Sequence, residues 1–196
     1  MRVFIAVLVL IFSFQSWTKA DDISDFQIEG ISIGDSLLSY MSEDQILSEL
    51  IRNKDLYYYK TKKKFNEVYL YNEFKNYSYI SFFLKPGDKK YIIQAIYGDV
   101  DIAQDILVCY QKQNEIADDL NNIFDDLRVD KGTYKLGADP SGKSKATFIN
   151  WKFSNGDIIE VTCYDYDKSI QVGNLNHDGL DIAVNRSEVY KWLFEK

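Results

Sequence analysis

The sequence predicts an α+β fold: one or more antiparallel sheets packed on one long central helix, with short N-terminal and C-terminal helices. Three observations carry that expectation. Residues 101–127 place Ile102, Ile106, Cys109, Gln113, Ile116, Leu120, Ile123 and Leu127 at alternating steps of four and three, the stripe of one helical face. The segments on either side alternate apolar and polar residues with the two-residue period of strands. Tight-turn chemistry at Pro86-Gly87-Asp88 and at Asn155-Gly156 joins those segments as antiparallel neighbours.

The chain opens on Met1-Arg2, runs almost wholly apolar from Val3 to Phe14, and reaches small residues at Thr18-Lys19-Ala20. A charged start, an apolar core of about a dozen residues and a small-residue exit form a secretory signal. Residues 1–20 are therefore expected to be a cleaved signal peptide and residues 21–196 a single α+β domain. A membrane span needs about 20 apolar residues, and Gln15-Ser16 interrupts too early. Asp21, not Cys, would follow the cut, so a lipid anchor there is not expected. Losing Arg2 and Lys19 takes the basic count from 23 to 21 against 30 acids, a formal charge of −9. That surplus argues against nucleic acid or an anionic membrane surface as the main partner, since both reward cations.

Residues 23–33 read as an extended segment that Gly34 breaks. A first helix is expected within residues 36–52, bent at Met41–Ser42, because Ser42 and Gln45 have the spacing of a capping box and Ile46, Leu47 and Leu50 follow. Residues 60–64, rich in Lys, read as a solvated turn. Val68 and Leu70, then Ile80, Phe82 and Leu84, mark strands, and residues 91–97 return as a hairpin partner. The helix over 101–127 would be capped by Asp101 and span roughly 40 Å. Lys131-Gly132 and residues 139–142 read as loops. Ile149, Trp151 and Phe153 alternate in one strand, and residues 157–165 return with Ile159, Val161 and Cys163 on one face and Glu160, Thr162 and Tyr164 on the other. Residues 169–175 and 180–184 are expected to pair around Asn176-His177-Asp178-Gly179. Ser187 would cap a last helix carrying Val189, Trp192 and Leu193.

Few residues offer chemistry. Cys109 and Cys163 are the two cysteines, one in the helix stripe and one on an apolar strand face. In an exported chain such a pair is expected to form a disulfide; two separate buried thiols are the alternative. Asn174, Asn176, Asp178 and Asp181 are spaced like the start of a calcium loop, with Gly179 for the turn. Asn185 stands where the bidentate Glu would be, so a plain hairpin is the favoured reading. His177 is the one histidine, too few for a His-rich zinc site. Asp165 and Asp167 fall two apart on a strand and read as edge charges. No cofactor motif is present. Tyrosine is the least ordinary feature: if their strands are neighbours, Tyr57, Tyr59, Tyr69, Tyr71, Tyr77 and Tyr79 can line one exposed aromatic stripe, a surface suited to protein, peptide or glycan, and rings half-buried under a loop or the first helix are the favoured alternative.

The stretch Gly-Ile-Ser-Ile-Gly-Asp-Ser-Leu-Leu-Ser-Tyr-Met-Ser-Glu at 30–43, the Cys109-Tyr110-x-Lys112 run and the Trp192-Leu193 close resemble small exported (periplasmic) proteins of unknown function from marine alphaproteobacteria. The resemblance implies a periplasmic setting and no particular activity. A short helix after Gly-Asp followed by antiparallel strands is also similar to periplasmic folds of the β-lactamase-inhibitor type. The expectation is an exported soluble binding or envelope-interaction module without catalytic activity, periplasmic or secreted, with no stable membrane insertion after signal cleavage. A small periplasmic hydrolase, which would need an acidic pair or His177 in a cleft, and a purely structural envelope component are the alternatives. The intact mass of the exported form should correspond to a chain starting at Asp21; a mass that retains residues 1–20 overturns the signal assignment.

Overall fold

The computed structural model describes residues 22–194 except 59, 61, 72–73, 101, 103–104, 125 and 172–175. The signal segment, Asp101, Tyr59 and Asn174 therefore lie outside the described residues.

The N-terminal stretch is not simply extended. Asp22 caps a 3-10 turn over Ile23–Asp25, and Glu29-Gly30, both at positive φ (51° and 77°), folds β1 (Gln27–Ile28) back onto β2 (Ile31–Ser32). Two left-handed residues in succession are the geometry of a tight hairpin turn. A second 3-10 turn, Leu37–Ser39, precedes α1 (Glu43–Arg52), so the expected bend at Met41–Ser42 is present. Ser42 and Gln45 form the reciprocal capping box.

Two three-stranded meanders follow. The first is β3 (Asn66–Leu70), β4 (Tyr77–Leu84) and β5 (Ile93–Val100). After α2 (Ile106–Ile123) comes the second: β6 (Arg128–Lys135), β7 (Lys145–Lys152) and β8 (Ile158–Asp165). β9 (Gly179–Asn185) and α3 (Ser187–Phe194) close the chain. All strands from β3 to β9 belong to one antiparallel sheet in the order β3-β4-β5-β9-β8-β7-β6. β9 is thus the central strand, bonded to β5 on one side and β8 on the other.

Four local expectations change. The predicted partner for 180–184 is replaced: β5 and β8 take both edges of β9, and among the described residues of 169–175 the Asp167 side chain curls the chain by accepting from Ser169 N, while 172–175 lie outside the described residues. Lys131-Gly132 is strand, not loop: a Cβ at Gly132 would fall 2.7 Å from the Phe148 ring, so this glycine serves close approach rather than a turn. The central helix is 18 residues, about 27 Å rather than 40. Asp105 caps it by accepting from Leu107 N at 2.9 Å, and Ile102 is buried in the approach to it. Ser187 is the first residue of α3, and Asp157 in the β7–β8 turn supplies the acceptor for its amide at 2.8 Å.

The sheet buries both faces. One carries Val68, Phe82, Ile96, Ile182, Val161 and Trp151 into the main core with the N-terminal hairpin, α1 and α2. α2 lies over β8 and β9 and turns Cys109, Gln113, Ala117 and Leu120 toward them. Cys109 and Cys163 are bonded, both fully buried, with Cα atoms 5.9 Å apart. Gln113, the one polar member of the stripe, donates from Nε2 to the carbonyls of Thr147 (2.8 Å) and Val161 (2.9 Å). Trp151 Nε1 donates to Asn121 Oδ1 at 2.9 Å. On the opposite face α3 packs Val189 and Trp192 against Phe65, Phe83 and Ala95, and Trp192 Nε1 donates to the Lys62 carbonyl. The sheet is therefore covered by three helices on two sides, not by one. The free edge of β3 is blocked by α1: Tyr69 N donates to Glu49 Oε2 and Asn53 Nδ2 to the Glu67 carbonyl.

Leu120→Ala should cost about 2–5 kcal/mol because it empties a core site under α2, whereas Asp119→Ala, off the stripe, should cost little. Reduction of the disulfide should remove about 4 kcal/mol, the chain-entropy value for a loop of 54 residues. Thermal or denaturant melts of the two variants and of the reduced protein check these values.

Candidate functional site

Strand parity decides what stands on the second face. Wherever β4, β5, β9 and β8 send an apolar residue into the main core, the next residue points the other way. Tyr79, Asp99, Asp181 and Thr162 are successive cross-strand partners and form one row across these four strands. Ser81, Tyr97, Ala183, Glu160 and Asn150 form the next row. α3 covers the row beyond, which holds Phe83 and Ala95. The part of the face that α3 leaves uncovered is a furrow of about 340 Å³. Tyr79 stands on one side and Tyr164 and Tyr166 on the other, Asp99 and Asp181 form the floor, and His177 lies at the rim.

Tyr164 and Tyr166 stack, with centroids 6.4 Å apart and planes 22° apart. Across the furrow Tyr79 packs on Tyr69 at 5.5 Å and on Tyr71 at 6.0 Å, and Tyr69 stacks on Tyr71 at 6.0 Å. An aromatic run thus leads from the β3 edge, where Tyr71 is 58% exposed and carries the Arg52 guanidinium 5.4 Å above its ring, into the furrow. Tyr69 and Tyr71 also line a groove of about 340 Å³ against α1.

The electrostatics of the floor follow from placing carboxyls side by side in a poorly hydrated place. Burial, with the charge of Asp99 next and then those of Glu160 and Glu67, pushes the Asp181 carboxyl up to about 8. Burial also raises Glu160 and Glu67. Hydrogen bonds from Ser81 (2.7 Å) and Tyr57 (2.9 Å) hold the Glu67 carboxyl and oppose its shift. Burial first, then the charges of Asp181 and Asp99, lifts the Tyr79 hydroxyl above its ordinary range.

The expected tyrosine stripe is assembled in part. Tyr69, Tyr71 and Tyr79 come together. Tyr57 does not join them: it is half-buried between Phe83 and Trp192, with centroids at 5.9 and 5.1 Å. Tyr77 goes to the opposite face, because an irregularity in the β4–β5 register between Tyr77 and Tyr79 breaks the alternation. Its ring lies over Gly98, where a Cβ would fall 2.6 Å away. In the calcium-like loop, Asp178 Oδ1 accepts from Tyr166 N and Gln171 Nε2, Asn176 Nδ2 donates to the Ile170 carbonyl, and Asp181 is already in β9. Asp178 and Asn176 thus shape the rim of the furrow. Asp165 and Asp167 pair with Lys145 and Lys143 away from it. Among the described residues no group of three or more His, Cys, Asp or Glu is placed to hold a metal ion.

Sequence reasoning missed Asp99, Tyr164 and Tyr166 as site residues and met Asp181 only as part of the loop. Alternation of Asp181 with Leu180 and Ile182, and of Asp99 with Val100, carried the signal. Without the strand order nothing brings the two aspartates together. Comparison of the chain with known protein families, with curated proteins and with solved structures finds no match.

The raised Asp181 carboxyl has a sign that can be measured. An aspartic acid that ionises near pH 4 unfolded but near 8 when folded binds more protons in the native state, so native stability falls as pH rises between those values and levels off above. Asp181→Asn removes this contribution. Its Tm advantage over the parent protein should therefore grow from pH 5 to pH 8, and a constant difference would refute the shift.

Proposed function

We propose that this chain is an exported binding module without catalytic activity, periplasmic or secreted, and that its site is the furrow between Tyr79 and the Tyr164–Tyr166 pair. The observation that carries the reading is the composition of that furrow: aromatic walls, a carboxyl floor and room for one side chain or one sugar ring. Tyrosine rings supply contact area at low entropic cost, and a few convergent polar groups supply orientation. A segment of a protein, a peptide or a glycan fits such a site through one inserted group, with the Tyr69–Tyr71 stack extending the contact toward the sheet edge. The exported setting is supported by the signal-like first 20 residues, by the resemblance to small periplasmic proteins, and by a buried disulfide that an oxidising compartment maintains. Among the described residues no helix is long and apolar enough to cross a membrane.

A small hydrolase is the second reading, and one observation favours it. Asp99 and Asp181 are cross-strand partners, and the environment keeps one of them protonated near neutrality. Two carboxyls with separated pKa values are the requirement for a general acid and its partner. Both readings contrast with a purely structural component, which has no use for an open furrow.

The test is a titration of the isotopically labelled chain 21–196 with N-acetylglucosamine and with a lysine-containing tripeptide, followed by amide shifts. Binding to the furrow predicts shifts clustered at Asp99, Tyr164, Tyr166 and Asp181, with no turnover of chromogenic glycosides or esters. Shifts confined to the α2 side overturn the assignment of the site. Turnover that is lost in Asp181→Asn establishes the hydrolase instead.

A further inference from the structure

Resting on the binding reading above, we propose that the furrow selects an organic cation, a ligand that presents an ammonium or quaternary ammonium head between the tyrosine walls and above the two aspartates. Three independent observations lead there. The first is charge. Asp99 and Asp181 line the furrow, Glu160 stands one row behind on the neighbouring strand, and the described lining residues include neither Lys nor Arg.

The second observation is the walls. Tyr79, Tyr164 and Tyr166 surround the floor with ring surface, and an ammonium within about 6 Å of a ring centroid is attracted by the negative face of the π-system. A bare metal ion gains less from such walls and needs a convergent set of oxygens, for which no group of three carboxyl, thiol or imidazole side chains is placed among the described residues. The third observation is a carboxyl without a counterpart: Asp181 lines the furrow and has no hydrogen-bond or ion-pair partner among the described residues. An unpartnered carboxyl beside ring faces matches a cationic head better than a carboxylate or phosphate.

Binding a fixed positive charge should displace the proton that Asp181 retains, so affinity should rise as pH approaches 8. The charged or titratable groups that face Asp181 are Asp99 on β5, Glu160 on β8, Glu67 on β3, the hydroxyl of Tyr79 on β4, and the ring of His177 at the rim.

The experiment titrates the chain 21–196 with choline, whose charge does not titrate, and with its uncharged isostere 3,3-dimethylbutan-1-ol, by calorimetry and amide shifts at pH 6 and pH 8. Choline should bind at least tenfold tighter than the isostere, more tightly at pH 8 than at pH 6, with shifts at Asp99, Tyr164 and Asp181. At pH 8 Asp181→Asn should weaken choline at least tenfold and leave the isostere unchanged, whereas at pH 6, where the Asp181 carboxyl is neutral, it should change choline affinity little. Tyr166→Leu, which keeps both carboxyls, should also weaken choline. Equal affinity for choline and the isostere, or choline binding at pH 8 indifferent to Asp181→Asn, overturns the cation inference. N-acetylglucosamine shifting the furrow residues while choline does not sinks the cation and leaves the binding site standing. No furrow shifts with any probe, the tripeptide included, sink both.

Discussion

The docking of α2 onto the sheet is fixed at three heights: the bond from Cys109 to Cys163, the Gln113 amide one turn on, and Asn121 two turns further. Each does something the apolar stripe alone cannot. Leu and Ile side chains fill space but leave a helix free to slide by a fraction of a turn, since dispersion has little directional preference. A buried amide that must find carbonyl partners sets the position to within a hydrogen bond, because leaving it unsatisfied costs about 1–3 kcal/mol. Gln113 reaches carbonyls on two adjacent strands, β7 and β8, so it fixes α2 along and across them at once. With one face of the central strands closed in this way, the chemistry of the molecule is left to the other.

That other face has a free-energy consequence. Asp181 and Glu160 sit in the middle of an eminently buriable pair of strands, and carboxyls there are unfavourable in charged form. The same strands carry Leu180, Ile182, Val184, Ile159 and Val161 on the reverse side, all buried. The main core offsets what the furrow costs.

Much of this was legible from residue order alone. The helix–strand–helix–strand–helix succession, the Ile80-Phe82-Leu84 strand, the Ser42–Gln45 cap, the Asn155-Gly156 turn and the cysteine pair all depend on local periodicity or on one distance along the chain. What was hidden depends on neighbours distant in sequence. Gly132 looks like a turn residue until Phe148 is placed over it. The edge strand β6 hides because it buries too little to alternate clearly. Tyr77 obeys strand parity in the sequence and violates it in space because the register slips beside it. The Asp99–Asp181 pair could be read only by knowing that β9 runs beside β5, and the turn signals around residues 176–179 pointed to a local hairpin instead.

The central position of β9 has a consequence for how the chain comes together in time. Synthesis delivers both meanders before it delivers β9, yet neither can become part of one sheet until the last strand enters between them. Ala95 pairs with Asn185 and Val100 with Leu180, contacts of high sequence separation, which slow folding because loop-closure entropy must be met before they form. Cys109 and Cys163 both precede β9, so their bond can hold α2 over β8 while the slot beside it is still open. A nascent chain stopped short of residue 179 would show two bare strand edges to its surroundings, a configuration prone to pair with the wrong partner. The segment from β9 onward is therefore a kinetic gate: it joins two half-sheets into one, and it completes the furrow floor in the same event, since Asp181 arrives with the strand that closes the sheet.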